Sequence, residues 1–220
     1  HTPTADHGLP THNPTRATHR TGTHLTQDPP LPHQWPDALK LDNLDLDKPW
    51  DDPSSFDAPP PTRPCDGWYW HRPDRVVEGA TWGGNLEILS WLLMADRGIR
   101  DASAYEGMVL IVETSEELPS SDEVFRILRN MGERGLLSKF PAVLIGRAKA
   151  WSFNRPLTPD EQVTYAGDQR EAVLKVLARY APDTMAVFDV DFGHTDPQVV
   201  IPYGGQIRVD GPARAITVTY

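Results

Sequence analysis

The distribution of proline constrains this chain more than any other feature. Residues 1–64 hold 13 of the 22 prolines and six of the eight histidines. Proline fixes φ and has no amide donor, so this stretch can form neither a long helix nor a central strand. Residues 1–30 are a Pro/His/Thr-rich tail with few side chains able to build a core, and disorder is the expectation there. Residues 31–64 set Trp35, Trp50 and Phe56 between prolines, which predicts an extended linker lying over a folded body. The folded domain is therefore expected in residues 65–220. Histidines 1, 7, 12, 19, 24 and 33 admit a metal-capture reading, but nothing in the sequence fixes their geometry, and a polar Thr/His/Pro tail is the preferred reading.

The formal net charge of −10 argues against a nucleic-acid partner, because phosphate binding needs a basic surface. The single cysteine, Cys65, excludes an internal disulfide and any multi-cysteine metal site, and it fits a reducing, cytoplasmic setting. No apolar run reaches the length of a membrane span. The chain opens on His1 with no signal-like segment, so a fragment, a processed chain or an uncertain start is expected.

From residue 65 onward the sequence is patterned. Arg75–Gly79 predicts a short strand ending at glycine. Gly84–Ala95 has helical spacing, with Leu86, Leu89, Leu92 and Leu93 on one face. Gly107–Glu113 (GMVLIVE) predicts a buried strand. Ser120 and Glu123 form a capping box for a helix reaching about Arg134, with Gly135 as its stop. Ala142–Arg147 is the next strand, and Thr158, Pro159 and Glu161 open a helix reaching about Tyr180. Met185–Val190, Val199–Ile201, Ile207–Val209 and Ala215–Thr219 read as strands. Strand–helix alternation followed by a run of strands is a mixed α/β domain with a β-rich end.

Four places could carry chemistry. Trp82-Gly-Gly-Asn-Leu86 puts two glycines before a helix N-terminus, where backbone can approach a ligand, although most Gly-Gly turns are only turns. Glu113 ends an apolar strand, the end at which α/β sheets place their sites, and Thr-Ser-Glu-Glu117 follows it; a solvated acidic loop is the alternative. His194 lies in Asp191-Phe-Gly-His-Thr-Asp196 and is suited to general-base work, or else is a turn histidine bonded to a carbonyl. Asp66-Gly-Trp-Tyr-Trp70 could wall a substrate or, on spacing alone more readily, anchor the preceding segment. No serine stands in a Gly-x-Ser-x-Gly elbow and no HExxH signature occurs.

Taken in order, Asp66–Trp70, Glu78-Gly-Ala-Thr-Trp-Gly-Gly-Asn-Leu86, Val109–Glu117, Ile145-Gly-Arg147, Asp191–Asp196 and Ile201-Pro-Tyr-Gly-Gly205 resemble the C-terminal domain of LD-carboxypeptidases. That group includes murein tetrapeptide carboxypeptidases and microcin C self-immunity proteins. The resemblance implies a mixed α/β, C-terminal swivelling-type domain with a β-rich end and flanking helices, without the N-terminal nucleophile domain. It implies a Ser-Glu-His triad in which Glu113 and His194 are the acid and the base and the serine is not in this chain. It places Trp68, Trp70, Gly84, Asn85 and Glu117 near substrate; Glu117 stands where some self-immunity relatives carry a lysine, which argues against their nucleotide-type substrate here. The implied reaction is metal-free and cofactor-free hydrolysis of a C-terminal peptide or amide bond, in a murein peptide or peptide conjugate. Relatives are often dimers, so a homodimer is an expected assembly. A non-catalytic binding or immunity remnant is the rival reading.

Overall fold

The computed structural model describes residues 32–36, 43–44, 52–57, 62–63, 66–196 and 198–220. The tail at 1–30 and most of the 31–64 linker lie outside the described residues.

Ten strands and three α-helices are described: β1 (Pro32–Pro36), β2 (Asn43–Leu44), β3 (Thr62–Arg63), β4 (Tyr69–His71), β5 (Val76–Asn85), α1 (Leu86–Ala95), β6 (Val109–Glu113), α2 (Ser121–Glu133), β7 (Ala142–Gly146), α3 (Pro159–Tyr180), β8 (Met185–Val190), β9 (Gln206–Asp210) and β10 (Ala215–Thr219). Eight strands form one sheet in the order β1-β10-β9-β5-β6-β7-β8-β4. β5 to β8 are parallel, and the strands on both flanks are antiparallel. The proline-bearing β1 sits at an edge, where a missing amide costs no central ladder bond.

Side chains alternate across the parallel strands, so each strand feeds two cores. Leu110, Val112, Val143, Ala186 and Phe188 face the layer of α1, α2 and α3. Val109, Ile111, Ala142, Leu144, Met185 and Val187 face the other way, against Trp68, Trp70, Phe192 and the curled β9 and β10.

The mixed α/β class and the β-rich end hold. Three local expectations do not. The strand expected to stop at Gly79 runs on to Asn85; a Cβ on Gly79 would strike the backbone of Gly107, just before β6, and one on Gly83 that of Ile111 on β6. Both glycines thus lie in the strand rather than in a turn, Gly83 packed closely against β6, and the helix begins only at Leu86. Val199–Ile201 is not a strand. That segment is tied by the Val199 amide to the Asp191 carbonyl, 2.6 Å, and just beyond it the Pro202 carbonyl accepts from the Thr81 hydroxyl. Tyr69–His71, expected only as an aromatic segment, pairs antiparallel with β8.

Candidate active site

Strand β6 delivers Glu113 to the C-terminal end of the parallel strands, beside Asn85 in register on β5. Apolar neighbours bury it to 7% exposure. A carboxylate there needs a polar partner. His194 supplies it: Nδ1 lies 2.7 Å from Glu113 Oε2, across 81 residues of sequence. The imidazole itself is 40% exposed, so its far edge faces outward.

Two glycines make room for this pair. A Cβ on Gly193 would lie 2.7 Å from Glu113 Oε2 and 2.8 Å from Cβ and Cγ. A Cβ on Gly146 would lie 2.7 Å from Glu113 Cβ and 2.6 Å from the Phe192 carbonyl. Gly193 also has φ of 97°, a conformation that glycine adopts without strain.

The loop carrying His194 is set by Asp191, which is 1% exposed. One of its oxygens accepts from the Arg147 guanidinium at 2.9 Å and 3.3 Å, and the other accepts from the Trp68 indole at 2.9 Å. A buried carboxylate fully engaged in this way holds its segment firmly.

The loop after Glu113 is fastened from α1, from α3 and from Arg155 in the segment before α3. Ser115 donates through its amide and its hydroxyl to Glu87 Oε1, at 2.9 Å and 2.7 Å. The Leu118 carbonyl accepts from Arg155 at 3.2 Å. The Pro119 carbonyl accepts from the Tyr165 hydroxyl at 2.9 Å and from Gln169 at 2.7 Å. Burial pushes the Tyr165 hydroxyl up from its ordinary range, with Glu87 adding to the effect, so it remains a donor.

Of the residues singled out in the sequence, Glu113, His194, Gly84 and Asn85 gather at this end of the sheet. Asn85 caps α1, its side chain accepting from the Ile88 amide at 2.9 Å. Glu117 is exposed on the following turn. Trp68 and Trp70 are each only 6% exposed and pack in the second core, not as an exposed wall. Ser115 shares the loop but is bound to Glu87, not to His194.

One residue was not singled out: Glu116, whose Oε2 lies 3.3 Å from His194 Nε2. Only its place in the Thr-Ser-Glu-Glu run hinted at it. Among the described residues no three His, Cys, Asp or Glu side chains are grouped to hold a metal, and no helix is long and apolar enough to cross a membrane.

A buried acid orienting a loop histidine at the C-terminal end of parallel strands is the acid–base arrangement that hydrolases with a nucleophile use. Residues 78–209 match the LD-carboxypeptidase C-terminal domain, and the chain belongs to that family. A protein of Treponema pallidum (strain Nichols), provisionally named a carboxypeptidase, is 29% identical over 150 residues, covering 67% of this chain and 38% of its own. The MccF-like protein from Streptococcus pneumoniae, solved in complex with AMP, superposes with a TM-score of 0.68 at 21% identity, covering 85% of this chain and 53% of its own. The microcin C7 self-immunity protein MccF, solved as an inactive mutant without ligand, gives 0.64 at 19% identity, with 89% and 52% covered. At these identities the likeness is one of fold. The chain spans about half the length of the solved relatives and less of the curated one.

Proposed function

We propose that this domain supplies the acid and the base of a serine-type carboxypeptidase acting on a C-terminal peptide or amide bond. The observation that supports this best is the 2.7 Å contact between His194 Nδ1 and the buried Glu113 carboxylate. Glu113 fixes the tautomer and the orientation of the ring, so that Nε2 is the nitrogen left to exchange a proton with a nucleophile. His194 takes the proton of an attacking serine and returns it to the leaving amine. The serine comes from a nucleophile domain outside these 220 residues, and the substrate is a small murein peptide or peptide conjugate met in the cytoplasm. Gly84 and Asn85, in register with Val112 and Glu113, and the exposed Glu117 on the following turn are the residues that would meet the substrate in this reading. No cofactor enters the scheme.

The test joins this chain to a serine-bearing N-terminal domain of the family and follows release of the terminal residue from an L,D-linked murein tetrapeptide. Turnover is expected from the joined protein, with Glu113→Ala costing about 10,000-fold and His194→Ala about a million-fold in kcat. The chain alone is expected to show none. Robust turnover by the 220 residues alone, or full turnover with His194→Ala, would sink the proposal. Calorimetric binding of the peptide that His194→Ala leaves intact, with no turnover in any form, would instead favour a binding remnant.

A further inference from the structure

Strand β8 changes register just before the loop that carries His194. Leu144 on β7 pairs with Val187, but Gly146 pairs with Val190, so β8 holds one extra residue in that step. The extra residue makes a bulge, and left-handed backbone falls within it at Asp189, with φ of 61°. An inserted residue reverses the alternation of side chains beyond it. Ala186 and Phe188 face the helix layer, whereas Val190 and Phe192, which an unbroken strand would point the same way, lie in the tryptophan-side core. Glu113 follows Val109 and Ile111 in the alternation of β6 and points to that same side. The bulge thus turns the chain onto the face where His194 meets Glu113 at 2.7 Å.

A left-handed residue other than glycine persists where its surroundings hold it. Arg170 on α3 does so: its Nη2 donates to Asp189 Oδ2 at 2.5 Å. The two side chains are 34% and 18% exposed, so this is not a freely solvated surface pair. The Arg170 guanidinium is itself seated, 4.7 Å from the ring centroid of Tyr69 and 6.0 Å from that of Phe188. Those two residues are cross-strand partners on β4 and β8. Beyond the bulge, backbone bonds carry its geometry into the loop. The Val190 carbonyl accepts from the Phe192 amide at 2.8 Å and from the Arg147 amide at 2.9 Å, and the Asp191 carbonyl accepts from the Val199 amide at 2.6 Å.

We infer that Arg170 is a positioning residue for His194: it holds Asp189 in the bulge, and the bulge presents the segment 190–194 to Glu113. This role rests on reading His194 as the base, but its first readout needs no turnover, so the two can fail separately.

That readout is hydrogen exchange, followed by NMR in the full chain, at the amides of Arg147, Phe192 and Val199. Arg170→Gln removes the charge that grips Asp189. Asp189→Gly removes the carboxylate and leaves a residue that adopts φ of 61° without strain. Both variants should speed exchange at the three amides about tenfold. The Met185 amide, bonded to the Pro141 carbonyl at 3.0 Å at the opposite end of β8, should keep its wild-type rate. Glu106→Gln breaks a 2.8 Å ion pair with Lys139 ahead of β6 and should change none of the four rates. In the joined protein, Arg170→Gln and Asp189→Gly should each lower kcat about tenfold with KM unchanged, the mark of a displaced base rather than of lost substrate binding. Wild-type exchange at the three amides in either variant would overturn the role. So would equal acceleration at Met185, because the whole domain would then be loosened, and so would full kcat in variants whose loop amides exchange faster. A joined wild type without turnover would count against His194 as the base and would leave the exchange rates to decide the role of Arg170.

Discussion

The geometry of the site turns on two glycines that carry no chemistry. Gly193 and Gly146 lie against the Glu113 side chain, and a Cβ at either would fall within 2.8 Å of it. Gly98 has a comparable left-handed backbone, φ of 69°, with no atom within 4 Å of a Cβ. The three positions separate backbone strain from collision. Gly98→Ala should cost about 1 kcal/mol in a denaturant titration, the ordinary price of a side chain at positive φ. Gly193→Ala should cost about 2–3 kcal/mol, because the methyl also displaces Glu113. It should also weaken the low-field proton resonance expected of an Nδ1–H donated to Glu113, which Gly98→Ala should leave intact. A Gly193→Ala variant that matched Gly98→Ala in both readouts would show that Glu113 can give way without losing His194. The sequence showed these glycines only as punctuation. Their role depends on Glu113, which is 80 residues from Gly193 and 33 from Gly146 along the chain but in contact with both in the fold, and no local pattern encodes that.

Elements were legible in the sequence in proportion to how local their causes are. Both capping boxes form as the residues predict, because cap and partner sit three positions apart: Ser120 with Glu123, and Thr158 with Glu161. The buried strand ending at Glu113 was legible from its apolar run. The extension of β5 through Gly83 was not, because a glycine pair signals a turn unless a neighbouring strand is known to lie against it. Nor was the failure of Val199–Ile201, where Val199 and Ile201 pack on the second core without a strand partner and Val200 is exposed. The caps carry a pH dependence. Glu161 is held below the ordinary carboxylate value of 4.5, first by the Thr158 amide and then by the Thr158 hydroxyl. A carboxyl lowered on folding adds stability above its ordinary value, and that contribution is lost as the pH falls through its folded value. Thermal unfolding followed from pH 6 downward should therefore show a shallower acid loss in Glu161→Gln than in wild type. Thr158→Ala should cost about 1 kcal/mol at neutral pH and should also flatten the acid limb. An acid limb identical in wild type and Glu161→Gln would show that the cap does not couple to folding.

At the scale of the whole molecule, the two cores share their strands, and the site sits where both meet. Successive residues of β6 point in opposite directions: Leu110 and Val112 into the helix layer, Val109 and Ile111 toward the tryptophan side. Glu113 continues that alternation at the strand's end, and the loop that brings His194 to it covers the second core through Phe192. Neither core can therefore melt while the other keeps the backbone of β6, β7 and β8 in register. Leu110→Ala and Ile111→Ala remove neighbouring side chains on opposite faces, at 1% and 7% exposure, and each should cost about 2–5 kcal/mol. If the cores are one cooperative unit, each variant lowers the unfolding midpoint seen from both sides. Trp82 reports the helix-side core and Trp70 the other, and difference fluorescence against Trp82→Phe and Trp70→Phe isolates each signal. Coincident midpoints in both variants would mean that the acid–base pair is held by the full stability of the domain. Separated midpoints, with Ile111→Ala shifting only the Trp70 signal, would mean that the tryptophan-side core and the His194 loop open on their own, and that Glu113 loses its partner before the sheet unfolds.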